Sequence, residues 1–213
     1  MIYDIDIAKQ IAKSLLQINA IILQPEKPFK WAAGWNSPIY CDNRKTLSYP
    51  EIRNYIRQGL ASIIRNHYKG ANTIAGVATA GIPHGVLVAE ELGLPFIYVR
   101  SKAKEHGKRN QIEGDFNKGE SVVLVEDLIS SGKSSLEAAK TLSDNQMNVK
   151  GVISIFNYNF DAAKNNFKNE NCDYISLCDF NTLIPEAIRS QYIPESNLEI
   201  LEEWRKNPSK WKK

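Results

Sequence analysis

VLVEDLISSGKSS (residues 123–135) joins two signals that decide how the chain is read. Its opening is an apolar, largely β-branched run that begins at Val122, the mark of a buried strand. Its end, from Gly132, starts a helical pattern. The triplet Gly132, Lys133, Ser134 matches the close of a nucleotide-binding P-loop, but such a loop needs a glycine five residues before Gly132, and that position holds Asp127. A strand, a short turn and a helix in this order direct the amides of residues 130–134 toward the turn's centre. A helix N-terminus of that kind binds phosphate through unpaired N–H groups and a favourable dipole. The hydroxyls of Ser130, Ser131 and Ser134 add donors. Glu126 and Asp127 would repel a phosphate, but carboxylates accept well from vicinal sugar hydroxyls. The stretch therefore describes a ligand with a ribose beside a phosphate. A pair of helix-capping acids is the plainer alternative, and these two lie too far ahead of Gly132 to cap well.

Around this stretch, short β-branched runs alternate with helical patterns. The runs are TIAGVAT (73–79), PFIYVR (95–100), SVVLVED (121–127) and VKGVISIFNY (149–158), and the helical patterns between them are IPHGVLVAEELG (82–93) and GKSSLEAAKTLSDNQ (132–146). Nearly continuous apolar strands separated by helices predict an α/β fold with a mostly parallel sheet covered on both faces. Helices are also expected over 4–18 and 50–67, the latter starting at Pro50. The segment 29–44 reads as loop or short strand. Residues 161–213 read as mainly helical, with one strand possible at DYISLCDF. The twenty residues between Arg100 and Ser121 have no apolar period, and they carry Lys102, Lys104, His106, Lys108 and Arg109. A loop of that length is commonly functional, and this one follows a strand's carboxyl end, where open α/β sheets bind ligands.

The composition narrows the classes. The chain has 213 residues, 43% hydrophobic and 24% charged, enough for one domain with a sizeable core. A net charge of +3 is too mild to argue for nucleic acid, and the basic SKWKK end reads as a frayed, solvated tail. Three cysteines (Cys41, Cys172, Cys178), none spaced C-x-x-C, argue against a disulfide framework or a zinc site and favour a reducing cytoplasm. No signal peptide and no membrane span is evident.

Four apolar residues, two acids, three variable residues, a small residue, Gly, any residue and Ser form a pattern that resembles the signature of type I phosphoribosyltransferases. The resemblance implies that family's fold: one domain over 1–213, with hood elements near 1–45 and 180–213 and a long flexible catalytic loop. It implies that 5-phosphoribosyl 1-diphosphate (PRPP) is bound by Glu126, Asp127, Leu128, Ile129, Ser130, Ser131, Gly132, Lys133 (through its amide) and Ser134. Within the family, YVRSKAKEHGKRNQIEG (98–114) resembles the catalytic loop of orotate phosphoribosyltransferases, which assigns Arg100, Lys104 and His106 to the diphosphate. GVATAGIPHG (76–85) resembles the diphosphate loop, and FKWAAGWNSPIYCDNR (29–44) the N-terminal segment, with Ser37 and Tyr40 near the orotate ring. Ser130 is assigned there too. Ala80, Ala32 and the neighbourhood of Asn157 lack the lysine, lysine and arginine that many members carry. The implied catalytic residues are Lys104, His106 and Asp127, with Mg²⁺ held mainly by PRPP and water. The implied assembly is a homodimer whose catalytic loop is shared across subunits, with no nucleic-acid or membrane partner. A purine phosphoribosyltransferase of the same fold, a non-catalytic sensor of PRPP or nucleotides, and a P-loop NTPase are the alternatives. Trp31 and Trp35 read first as packing for a small lid, and His84 as the first turn of a helix beside the site.

Overall fold

The computed structural model describes residues 1–31, 34–101 and 111–212. Helix α1 (Ile5–Gln17) begins where the Asp4 carboxylate accepts from the amides of Asp6 and Ile7, both at 2.9 Å. Three small pieces follow. Strand β1 (Ile21–Leu23) pairs antiparallel with β4 (Ile39–Cys41), and β2 (Phe29–Lys30) pairs with β3 (Asn36–Ser37). A 3-10 turn (Asn43–Ser48) leads into α2 (Pro50–His67), with proline at the first turn, where its missing N–H costs nothing.

The main sheet is built from β5 (Thr73–Val77), β6 (Phe96–Val99), β7 (Ile112–Glu113), β8 (Ser121–Ile129), β9 (Asn148–Asn157) and β10 (Tyr174–Asp179). The connecting helices are α3 (Gly81–Leu92), α4 (Lys133–Asp144) and α5 (Asp161–Asn169), and α6 (Phe180–Arg189) and α7 (Leu198–Lys206) follow the last strand. The strand order is β10-β9-β8-β5-β6-β7, parallel except for β7, which runs against β6 with Val99 opposite Ile112. From β5 the chain steps outward to β6 and β7, then returns to β8 on the other side of β5 and continues to β9 and β10. The order therefore reverses between β5 and β8. Their carboxyl ends border the crevice in which open α/β sheets hold ligands.

Alternation along β8 divides two buried layers. Val123 and Val125 belong to the core shared with α1, α2, α3, α6 and α7. Val122 and Leu124 belong to the core under α4 and α5, with Ala138, Leu142 and Phe167. The next two positions continue this alternation and are the two acids.

Two expectations are corrected. The interval after Arg100 is not structureless throughout, since residues 112–113 form β7 with Ile112 buried. The C-terminal end is docked rather than frayed. Trp211 is 5% exposed within the main core, the Lys212 ammonium donates to the Pro25 carbonyl at 2.9 Å, and Asn36 donates to the Lys212 carbonyl. One buried aromatic outweighs the local charge of that tail.

Candidate active site

The acids at the end of β8 are not equivalent. Glu126 follows Val122 and Leu124 on the α4 side and is 5% exposed. Its Oε1 accepts from the Asp127 amide at 3.1 Å, and its Oε2 from the Ser134 and Ser135 hydroxyls at 3.4 and 3.3 Å. Burial, then the neighbouring Asp127 charge, pushes its carboxyl well above the ordinary range. Asp127 is half-buried beside the 3-10 turn, where Arg44 is among the groups acting on its charge. Burial raises its carboxyl as well. Of the pair, Asp127 is the less buried, while both oxygens of Glu126 already accept from neighbours within the protein.

After β8 the chain turns through Ser130, Ser131 and Gly132 into α4. Gly132 has φ +78, and a Cβ there would meet the Phe167 ring at 2.5 Å, so only glycine fits. The Asn166 side chain holds the turn from behind, donating to the Ser131 carbonyl at 3.0 Å. The amides of Ser131, Gly132, Ser134 and Ser135 donate to no acceptor among the described residues. Uncapped donors at the start of a twelve-residue helix make an anion site.

Among the described residues, three clefts border this turn; one lies behind it at Ser131, Lys133 and Asn166, and two lie toward the acids. One, of about 390 Å³, is bordered by Val77, Ala78, Arg100, Ser101, Ser134 and Thr141. The other, of about 370 Å³, is bordered by Lys30, Trp31, Tyr40, Cys41, Leu128, Ser130 and Tyr158. The start of α3 forms a wall by lying directly on β8: a Cβ on Gly81 would fall 2.3 Å from the Val125 carbonyl oxygen. His84, in the first turns of α3, is 1% exposed, and its Nε2 has no partner among the described residues. Burial lowers its pKa to about 4, so the imidazole is neutral at physiological pH.

The other sequence expectations find definite places. Arg100 is at the first cleft, 3.4 Å from Glu113. Tyr40, Ser130 and Leu128 line the second. Ile129 is buried in the α4 layer, which leaves only its backbone for a ligand. Lys133 is exposed, its side chain 3.8 Å from Glu137, and its amide is 3.5 Å from the Ser131 hydroxyl. The Ser37 hydroxyl is buried within its own turn, donating to the Ile39 carbonyl at 2.8 Å and accepting from the Ile39 amide at 3.2 Å. Lys104 and His106 lie outside the described residues. Trp31 packs as a lid residue, its ring 5.2 Å from Tyr158 and 5.7 Å from Trp204, its indole N–H on the Ile39 carbonyl. Lys30, Cys41 and Asn43 escaped sequence reasoning. Nothing local distinguishes them, because their importance comes from what the fold brings to them.

A family model described as "Phosphoribosyl transferase domain" matches residues 48–182. An orotate phosphoribosyltransferase from Cytophaga hutchinsonii is 54% identical over 205 residues, 96% of this chain and 98% of its own length. Its counterpart from Enterococcus faecalis is 48% identical over 97% of this chain and 99% of its own. Among solved structures, a UMP synthase from Leishmania donovani superposes with a TM-score of 0.79 at 26% identity, covering 93% of this chain and 42% of that one. The orotate phosphoribosyltransferase of Aeropyrum pernix shares the fold, with a TM-score of 0.74 at 24% identity over 86% of this chain and 99% of that one. With the acid pair, the bare amide turn and near full-length likeness to these relatives together, the chain belongs to the orotate phosphoribosyltransferase family.

Proposed function

We propose that the chain transfers the 5-phosphoribosyl group of PRPP to orotate, giving orotidine 5′-monophosphate and diphosphate. One observation carries the assignment of the site. A helix start whose amides have no partner among the described residues follows two carboxylates at the point where the sheet's strand order reverses. The 5-phosphate is received by the amides and hydroxyls of 130–134, and the ribose hydroxyls by Asp127 and Glu126. Orotate occupies the cleft between Tyr40 and Ser130. Lys30 supplies the cation for its carboxylate, as the only basic residue among the described residues lining that cleft.

An orotate ring nitrogen attacks the anomeric carbon as the bond to diphosphate breaks, through a state resembling a ribosyl cation. Asp127 orients the sugar through hydrogen bonds and forms no covalent bond to it. Arg100, with Lys104 and His106 by resemblance, stabilises the charge that grows on the leaving diphosphate. The donors at the site are hard carboxylate oxygens, which suit Mg²⁺, and no group of three or more His, Cys, Asp or Glu among the described residues gathers to hold a metal alone. When bound on PRPP, Mg²⁺ neutralises diphosphate charge. We place the working enzyme in a homodimer, with the loop after Arg100 serving the partner's site. No helix among the described residues is long and apolar enough to cross a membrane.

The test is orotate consumption, followed by absorbance, with PRPP and Mg²⁺ each omitted in turn and with adenine, hypoxanthine and xanthine as competing bases. Loss of orotate that requires both PRPP and Mg²⁺ supports the reading. Turnover of a purine with none of orotate would replace it.

A further inference from the structure

Asn43 opens the 3-10 turn after β4 and is fully buried. Its Nδ2 donates at 2.7 Å to the carbonyl of Asp127, 84 residues away. The ladder between β5 and β8 ends at Gly76 and Val125, so beyond that point β8 has lost its neighbour strand on that side. A side-chain amide from the hood takes over there. The other end of the same amide is also held: Oδ1 accepts from the Cys41 thiol at 3.4 Å. The Asn43 carbonyl in turn accepts from the Thr46 hydroxyl at 2.6 Å, and Thr46 is fully buried as well. Cys41 lines the cleft assigned above to orotate. Burial, then the nearby Asp127 charge, pushes its thiol well up, which keeps it a donor at neutral pH.

We propose that Asn43 is a positioning residue that fixes Asp127 from the hood, so that one buried amide sets the ribose acid and the pyrimidine cleft relative to each other. This rests on the assignment of Asp127 to the ribose. An amide is suited to the task because it donates to the Asp127 carbonyl and accepts from Cys41 at once, which neither aspartate nor leucine does. Both of its bonds are part-buried, and loss of the amide leaves the Asp127 carbonyl short of its donor.

The test is a double-mutant cycle on Asn43→Ala and Asp127→Asn, read as PRPP affinity by calorimetry without orotate, as kcat/KM, and as Tm. Asn43→Ala should weaken PRPP binding on the order of tenfold in the wild-type background, because misplacement of a binding group by about 1 Å is costly. In the Asp127→Asn background it should cost less than about twofold, since coupled residues are non-additive. Equal losses in both backgrounds, or a lowered Tm with unchanged PRPP affinity, overturn the proposal. If Asn43→Ala does not fold, Asn43→Asp serves. It keeps the volume and the acceptor for Cys41 but turns an oxygen toward the Asp127 carbonyl, and it should show the same loss of PRPP affinity. Normal affinity in Asn43→Asp beside a weakened Asp127→Asn refutes the role of Asn43 alone. Normal affinity in Asp127→Asn removes the ribose assignment, and Asn43 with it.

Discussion

Gly81→Ala perturbs the site through a single methyl group. The added Cβ would lie 2.3 Å from the Val125 carbonyl oxygen and 3.4 Å from the Glu126 Cα, both backbone atoms of β8. Backbone cannot swing aside as a side-chain end can. Since 3.4 Å is where ordinary van der Waals contact begins, the start of α3 must lift by about 1 Å at Gly81. Overpacking of this kind costs about 1–3 kcal/mol, which Tm will register as a fall of several degrees. The functional effect should be larger in kind. A displacement of that size in a substrate-positioning segment lowers turnover on the order of a hundredfold. The assay is kcat and KM for PRPP with orotate saturating, beside a thermal melt. A folded Gly81→Ala protein with unchanged kcat/KM would show that the start of α3 does not shape the PRPP site.

Four further outcomes are expected. Glu126→Gln should weaken PRPP binding without lowering Tm at pH 7. Its raised carboxyl holds a proton that the unfolded chain gives up near 4.5, so stability falls as pH rises above that value, and a neutral isostere removes the penalty; a lower Tm refutes this. His84 acts with the opposite sign. The unfolded imidazole takes a proton below 6.5 and the folded one only near 4, so about 3 kcal/mol of stability is lost as pH falls through that window. Denaturant unfolding at pH 7 and pH 4.5 should show a smaller difference for His84→Gln than for the wild type, and an identical difference would exclude the effect. Lys30→Ala should raise KM for orotate roughly three- to tenfold and leave KM for PRPP alone, the size being limited by solvent at an exposed lysine. Lys104→Ala should lower kcat on the order of a hundredfold, as loss of one preorganised donor does, and an unchanged kcat removes Lys104 from the reaction.

The elements that were legible in the sequence share a property: their signal is local and repeated. The β-branched runs at β5, β6, β8 and β9, and the stripe of Ile11, Leu15 and Leu16 behind the Asp4 cap, state their structure within a few residues. The acid pair and the glycine turn were legible for the same reason, since strand, acids, turn and helix lie in one stretch. What stayed hidden depends on distance. Strand β7 has a single buried apolar residue, Ile112, and exists because β6 offers it an edge. The tail is held by Trp211 and Lys212 against residues far back in the hood. Asn43 meets Asp127 across 84 residues, only once the 3-10 turn has packed beside β8. The unequal burial of Glu126 and Asp127 follows from β alternation, but only once α4 and α5 are known to cover one face and α1, α2, α3, α6 and α7 the other.

Crystallography of the protein with PRPP and Mg²⁺ tests the central claim most directly. The account predicts the 5-phosphate against the amides of Ser131, Gly132 and Ser134, with a ribose hydroxyl within hydrogen-bond distance of Asp127. A phosphate seated elsewhere, with the ribose remote from both Glu126 and Asp127, would contradict it.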